Sequence, residues 1–285
     1  MKTIIVTASD EKFSSLFLGL ISSLQQFQPG LCDAIGVLDL GLAESTLGKI
    51  RESVTHIVIP EWDFAIDPTL QNTAPHLRGL LARPFLPKYF PGYDMYLWLD
   101  ADMWLQENYA VNWFFQAAAT GAMAIVPEVH QSYVLTEDAT LWRKKGLYEY
   151  FGAQALALCD QHNTYNAGAF ALQATSPHWN TWARYFGKGL RAAPHKVSDQ
   201  TALNYAIWSG DIKIHPLPAV CNWCCHFAFP VINIDIKRFC EPHIPNRPIG
   251  IMHLTAGSKD SVFTAIHEGK TNEIGLRFGE LATLA

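Results

Sequence analysis

The sequence is poor in charge, and its charged residues are not gathered into runs of one sign. Charged residues make up only 16% of the 285 residues, and the formal net charge is −5. No run of five or more lysines and arginines occurs. Nucleic acids and anionic membrane surfaces are both bound through clustered basic side chains. We therefore expect no nucleic-acid partner and no polybasic membrane anchor.

The sequence also lacks an apolar stretch long enough to span a bilayer. The best candidate, residues 114–126, contains Gln116 and Thr120 and is shorter than the roughly 20 residues that a spanning helix needs. The opening run, Met1 to Thr7, predicts a strand, because it is too short for a signal peptide and no cleavage site follows. We expect a soluble cytoplasmic protein, or one held peripherally at the inner membrane face. Its six cysteines would then be reduced thiols or metal ligands, not disulfides.

Apolar residues are plentiful, at 49%, which is enough to build a sizeable core. The chain shows no internal repeat and no linker, so residues 1–285 are interpreted as a single domain. Strand patterns alternate with helix patterns, which indicates an α/β fold with a single Rossmann-like, mainly parallel sheet flanked by helices. The predicted strands are Lys2–Thr7, Ala34–Leu40, His56–Pro60, Asp94–Leu99, Ala122–Pro127, Ala167–Leu172 and Ile212–His215. The predicted helices are Phe13–Leu24, Leu47–Ser53, parts of Leu77–Phe90, Trp113–Ala119 and Asp199–Trp208. Loops and one helix are expected in Glu128–Asn163.

Two aspartates follow the most apolar of these strands. Asp100 and Asp102 come directly after Leu97–Leu99, where a buried parallel strand opens at the ligand edge of its sheet. Two nearby carboxylates repel each other unless a cation lies between them, and hard oxygen ligands favour Mg²⁺ or Mn²⁺. The alternative interpretation is two solvated aspartates in a loop.

Five motifs, in order along the chain, resemble those of family 8 of the GT-A glycosyltransferases. This group contains glycogenin and the bacterial lipopolysaccharide galactosyl- and glucosyltransferases. Its LYLDAD, FNAG and DQ motifs, its arginine before LP, and its late HxxGxxK have counterparts here. These are Leu97–Asp102, Tyr165–Gly168, Asp199–Asn204, Arg83 with Leu86–Pro87, and His253–Lys259.

The resemblance implies a GT-A fold with a divalent cation, Mn²⁺ or Mg²⁺, held by Asp100, Asp102 and His253. It places Gln200 near the anomeric carbon and Asp199 against sugar hydroxyls, as the catalytic pair. It assigns contacts with the nucleotide-sugar donor to Thr7, Ala8, Asp10, Arg83, Ala101, Asn166, Gly168, Gly257 and Lys259.

Plainer roles remain open for several of these residues. Asp199 follows Ser198, a good N-cap residue, so its carboxylate could simply complement a helix dipole. Arg83 could be a surface arginine, and His253 a satisfied buried histidine. The family's late motif is also altered, because Ala256 stands at its glycine and Asp260-Ser261 replace its Pro-Trp. The loop at the pyrophosphate is therefore expected to differ in shape.

The function that the resemblance implies is transfer of a hexose from a UDP-sugar to a hydroxyl acceptor on a glycan, lipopolysaccharide or other glycoconjugate, with retention of configuration. Two alternatives remain. A sugar-nucleotide phosphohydrolase or nucleotidyltransferase could use the same aspartate pair. A non-catalytic nucleotide-sugar-binding protein would account for the altered motif.

The cysteines suggest a second metal site. Cys221 and Cys224 form a C-x2-C pair, and Cys240 and His243 form a C-x2-H pair fifteen residues later. This spacing predicts a structural Zn²⁺ site. Buried free cysteines are the competing interpretation.

Overall fold

The computed structural model describes residues 1–267 and 270–283, and side chains within residues 1–262 and 273–281. The strands are β1 (Thr3–Ser9), β2 (Ala34–Asp39), β3 (His56–Val58), β4 (Met95–Leu99), β5 (Met103–Leu105), β6 (Met123–Pro127), β7 (Tyr165–Gln173), β8 (Ile214–Pro216), β9 (Trp223–Cys224), β10 (Val231–Asn233), β11 (Arg238–Cys240), β12 (Ile251–His253), β13 (Val262–His267) and β14 (Lys270–Gly275). The helices are α1 (Ser14–Gln25), α2 (Glu44–Ile50), α3 (Pro68–Thr73), α4 (Leu77–Ala82), α5 (Leu86–Tyr89), α6 (Tyr109–Ala118), α7 (Glu137–Phe151), α8 (Ala153–Gln161), α9 (His178–Ala192) and α10 (Asp199–Trp208).

A seven-stranded sheet forms the centre of the fold, in the order β3-β2-β1-β4-β7-β6-β8. Strand β7 runs antiparallel to both of its neighbours, β4 and β6, and the other four pairings are parallel. The prediction of a mainly parallel sheet flanked by helices is therefore confirmed, with β7 as its one reversed strand.

The central strands are buried on both faces because successive side chains point to opposite sides of the sheet. Ile5 and Leu97 pack into a core with α1 and α6. Ile4 and Trp98 pack into a second core, on the other face, with α9 and α10. These two cores fix the sheet, and with it the ends of β1 and β4 and the start of β7, which lie at the same edge of the sheet.

A second, three-stranded sheet in the order β5-β12-β9 lies beyond the end of β4. Strand β12 pairs antiparallel with β5, so that His253 lies opposite Met103. The backbone N–H of Leu254 also donates to the carbonyl of Asp102, at 2.9 Å. This pairing carries His253, which is 150 residues away in sequence, to the aspartates after β4.

Several elements differ from the sequence-based expectation, and the longest of them are helices. The segment expected to hold loops and one helix contains two, α7 and α8, and α9 was not predicted at all. The fifteen residues of helix α9 include two tryptophans, one tyrosine and two glycines. These residue types have a weak intrinsic preference for the helix. It is held instead by packing, because Trp179, Trp182 and Phe186 are buried in the second core. In the described part of the chain, no helix combines the length and apolarity needed to cross a membrane.

Candidate functional site

Asp100, Asp102 and His253 converge where β4 ends. The N–H of Asp100 donates to the carbonyl of Gly168 at 2.9 Å, which continues the β4–β7 pairing by one residue. His253 Nε2 lies 3.3 Å from Asp102 Oδ1. One ligand atom from each of the three side chains lies within 4.8 Å of the others. Among the described residues, this is the only such group of histidine, cysteine and carboxylate side chains.

Each aspartate of this group also contacts a basic side chain. Arg83 donates to Asp100 and, at 2.6 Å, to Asp199, and it is only 6% exposed. Lys259 Nζ lies 2.5 Å from Asp102 Oδ2. The anion–anion repulsion inherent in the Asp-x-Asp motif is thus already reduced in the protein itself.

The surroundings push the pKa values of the two aspartates in opposite directions. Burial raises the pKa of Asp100, and the nearby Arg83 offsets only part of that rise. Burial acts in the same sense on Asp102, but His253 and Lys259 outweigh it and hold the Asp102 pKa well below its usual range. Asp102 is therefore the firmly ionised member of the pair.

Gly168 provides the space in which these side chains meet. A Cβ atom at this position would lie 2.6 Å from His253 Cε1 and 2.8 Å from both Asn166 Oδ1 and Asp100 Oδ2. All three distances are shorter than normal Cβ contacts, so a side chain at this position would force neighbouring groups to shift. Glycine avoids this because it has no Cβ where the three polar side chains approach the chain closely.

Replacing Gly168 with alanine is expected to destabilise the protein by about 1–3 kcal/mol, as overpacking of a filled interior does. It should also weaken any binding of a divalent cation by the three side chains, because the added methyl group pushes His253 away from Asp100. Denaturant unfolding and calorimetric Mn²⁺ titration in the presence of UDP would measure the two effects. The matched control is Gly48→Ala on exposed α2, where a Cβ meets nothing within 4 Å. If Gly168→Ala matched this control in both measurements, the close approach of the three side chains to Gly168 would matter neither for stability nor for metal binding.

An open cleft of about 250 Å³ lies beside the aspartates. Its lining includes Asp100, Ala101, Asp102, Lys259, Arg83, Ala8, Ser9, Asp10, Phe13, Leu40, His76, Leu77, Gly79, Leu80 and Trp98. Seven of the predicted site residues are among them. Phe13 and His76 were not predicted, because neither lies within a recognisable motif.

The predicted nucleotide-binding residues at the end of β1 are not equivalent. Ala8 and Asp10 line the cleft. Asp10 also caps the short 3₁₀ turn after β1, since its Oδ1 accepts the N–H of Phe13 at 3.2 Å. Thr7 is fully buried and does not line the cleft, and its hydroxyl has no hydrogen-bond partner among the residues that the structure describes.

A second group of predicted residues lies around the start of β7. Gln200 Oε1 accepts the backbone N–H of Ala167 at 2.9 Å. Asn166 Oδ1 accepts the N–H of Gly168, also at 2.9 Å. The open question about Asp199 is answered in part: it begins α10, and its carboxylate binds Arg83. Ser198 precedes the helix but makes no capping hydrogen bond; its hydroxyl bonds to Thr201.

Glu128 joins these residues together, and the sequence did not predict it. Its carboxylate is buried, and it accepts from Asn166 Nδ2 at 2.9 Å and from Gln200 Nε2 at 3.4 Å. Arg143, on α7, donates to its other oxygen. No linear motif marks Glu128, which lies just past β6 at the start of the segment expected to hold loops and one helix.

The late motif forms a 3₁₀ turn, Ala256–Asp260, which follows His253 and contains Lys259. Gly257 lies within it but does not line the cleft. Ala256, at the position of the family's glycine, has a φ of +49°. The left-handed backbone that favours glycine is therefore present here, and an alanine adopts it.

The predicted zinc site is wrong. Cys221, Cys224, Cys240 and His243 do not form a group that could hold a metal. The cysteines are instead buried: Cys221 packs in the core with α1 and α6, while burial raises the pKa of its thiol to about 12. Burial likewise raises the pKa of Cys224 well above its usual value. Protonated, buried thiols serve as small apolar side chains here.

The fold is similar to solved structures of a sugar-transferring enzyme. The galactosyltransferase LgtC, in complex with donor and acceptor sugar analogues, matches with a TM-score of 0.57 and 16% identity, over 99% of this chain and 94% of its own. An active-site mutant of LgtC matches with a TM-score of 0.55 and 15% identity, over 89% and 87% of the two chains. No family model and no curated protein matches the sequence. The GT-A fold expected from the motifs is thus confirmed, at a sequence identity too low to carry more than the fold.

Proposed function

We propose that this protein is a retaining glycosyltransferase that moves a hexose from a UDP-sugar to a hydroxyl of a glycan or glycoconjugate, with Mn²⁺ or Mg²⁺ as cofactor. The observation that carries the proposal is the convergence of Asp100, Asp102 and His253 beside an open cleft of a GT-A sheet. The donor and acceptor sugar analogues bound to LgtC support a sugar acceptor for this fold.

The side chains present fit a divalent cation. Two carboxylates and one imidazole suit Mn²⁺ or Mg²⁺, and Gly168 leaves the space in which they meet. When bound, such a cation neutralises charge on the diphosphate as it leaves the sugar.

The two basic residues have different positions and, we infer, different tasks. Arg83 is buried between Asp100 and Asp199, so it holds the carboxylates in place. Lys259 lines the cleft, as Arg83 does, but it is more exposed, at 22% of its side chain. It can turn from Asp102 towards a diphosphate and stabilise the negative charge there.

The residues around Gln200 favour attack from the same face that the diphosphate leaves. The Gln200 oxygen is engaged by the Ala167 N–H, and an amide is in any case a poor nucleophile. Both oxygens of Glu128 are engaged by Arg143, Asn166 and Gln200. In the proposed step the acceptor oxygen bonds to the anomeric carbon, the bond from that carbon to the phosphate oxygen breaks, and the departing phosphate oxygen takes the acceptor proton.

The test is a panel of UDP-sugars incubated with the protein and Mn²⁺, with products separated by chromatography. We expect one donor to release UDP, and the release to stop with a chelator. UDP with Mn²⁺ should also stabilise the protein against unfolding, by about 2.7 kcal/mol at a ligand concentration one hundred times the dissociation constant. Release of UMP and sugar phosphate would identify a phosphohydrolase. Stabilisation without any product would identify a nucleotide-sugar-binding protein. Neither effect with any donor would reject the proposal.

A further inference from the structure

Asn222 lies between the cysteines once interpreted as zinc ligands, and it contacts the metal-binding group. Its side chain is 1% exposed. Its Oδ1 lies 2.8 Å from His253 Nδ1, and its Nδ2 lies 3.0 Å from Asn166 Oδ1. The side chain thus bridges the imidazole of one motif and the amide of another.

Fixed donors and acceptors determine the direction of this bridge. The N–H of Gly168 can only donate, so the Asn166 atom that it meets is the oxygen. The Glu128 carboxylate, paired with Arg143, accepts from the Asn166 nitrogen. The Asn222 group facing the Asn166 oxygen must therefore be its NH₂, which leaves the Asn222 oxygen facing His253.

This direction decides where the imidazole carries its proton. An oxygen at 2.8 Å requires a donor, so His253 Nδ1 carries hydrogen. In the neutral ring, Nε2 then presents its lone pair to Asp102, which is the form that binds a cation. Without Asn222 the opposite tautomer would be favoured, because an Nε2–H could donate to Asp102 Oδ1, 3.3 Å away. That proton would occupy the position needed by the cation.

We propose that Asn222 is a positioning residue that holds His253 in the tautomer able to bind a metal ion. The hydrogen bonds run from Glu128 through Asn166 and Asn222 to His253. Glu128 and the Gly168 N–H fix the orientation of the Asn166 amide, and that amide fixes the orientation of Asn222. Glu128 also binds Gln200, so the same chain joins the sugar side of the site to the metal side. The inference rests on the metal site of the proposed function, but the proton position can be measured without metal.

The first measurement is ¹⁵N NMR of metal-free protein labelled in histidine, with His253 assigned by its loss in His253→Gln. At about pH 8, above the range in which histidine usually titrates, the wild-type ring should show a protonated Nδ1 and a bare Nε2. Asn222→Leu, which keeps the approximate side-chain volume, should move the proton to Nε2. A wild-type ring with a bare Nδ1 overturns the inference even if the variant does not fold.

The second measurement is Mn²⁺ affinity by calorimetry in the presence of UDP. Asn222→Leu should weaken it by roughly 10- to 100-fold, the usual effect of removing the partner of a ligating histidine. The exposed Asn112→Leu on α6 is the matched control and should bind as wild type does. An unchanged tautomer or an unchanged affinity in folded Asn222→Leu overturns the inference. If the wild type binds no Mn²⁺, the proposed function fails, whereas a tautomer switch in the variant would still support the role of Asn222.

Discussion

Replacing Asp102 with asparagine is expected to abolish the proposed metal-dependent sugar transfer while the protein stays folded. The amide keeps the size of the side chain but loses the charge that attracts a cation. Because a bound cation supplies several kcal/mol of charge stabilisation, the activation free energy of transfer should rise by at least about 3 kcal/mol, which lowers the rate by roughly 160-fold or more. Lys259 loses its anionic partner but is partly exposed and can turn to water, so the cost in stability should be about 1 kcal/mol.

Two measurements separate these effects. Rates of UDP release report on transfer, and thermal unfolding with and without Mn²⁺ and UDP reports on binding. The ligands should stabilise the wild type and leave Asp102→Asn unchanged. Asp235→Asn makes the same change of charge at an exposed position between β10 and β11 and should behave as wild type. Wild-type turnover by Asp102→Asn would show that the aspartate pair is not the metal site.

Of the substitutions considered, Arg83→Met should lower the free energy of unfolding most. Arg83 is buried and donates to both Asp100 and Asp199. Its removal leaves the buried carboxylate of Asp199 and the partly buried carboxylate of Asp100 without this counter-charge, and breaking a buried ion pair typically costs about 3–5 kcal/mol. Mn²⁺ with UDP should recover part of the loss, because the cation neutralises Asp100 from the other side.

Urea unfolding with and without Mn²⁺ and UDP would check this. The control is Arg51→Met, which breaks an ion pair with Glu44 whose side chains are 70% and 80% exposed. That change should cost less than about 1 kcal/mol. A similar, small loss for Arg83→Met would mean that Asp100 and Asp199 do not depend on Arg83 for neutralisation.

The sequence correctly grouped Asp100, Asp102 and His253, which belong to short motifs at the ends of strands. Asp100 and Asp102 could be predicted because a buried strand must end near them, and His253 because it belongs to an ordered motif. Glu128 and Asn222 could not, since each reaches the site only through the packing of distant segments. The cysteines on either side of Asn222 also drew the prediction towards a zinc site. Their spacing suits zinc, but their side chains are buried and form no metal-binding group with any described residue. The reversal of β7 was also missed, because a strand buried on both faces has the same apolar pattern in either direction.

The left-handed conformation of Ala256 bears on how rigid the late motif is. A residue with a Cβ pays about 1 kcal/mol to hold such a backbone, and the hydrogen bond from Ser258 Oγ to the carbonyl of Thr255, at 2.6 Å, helps to keep the turn closed. A turn in which residue 256 leaves the left-handed region would relieve this strain. The free-energy difference between that turn and the closed one is therefore smaller with alanine than it would be with glycine. Since Lys259 is carried by this turn, we expect the strain at Ala256 to lower the free energy needed to move the lysine from Asp102 towards a ligand in the cleft.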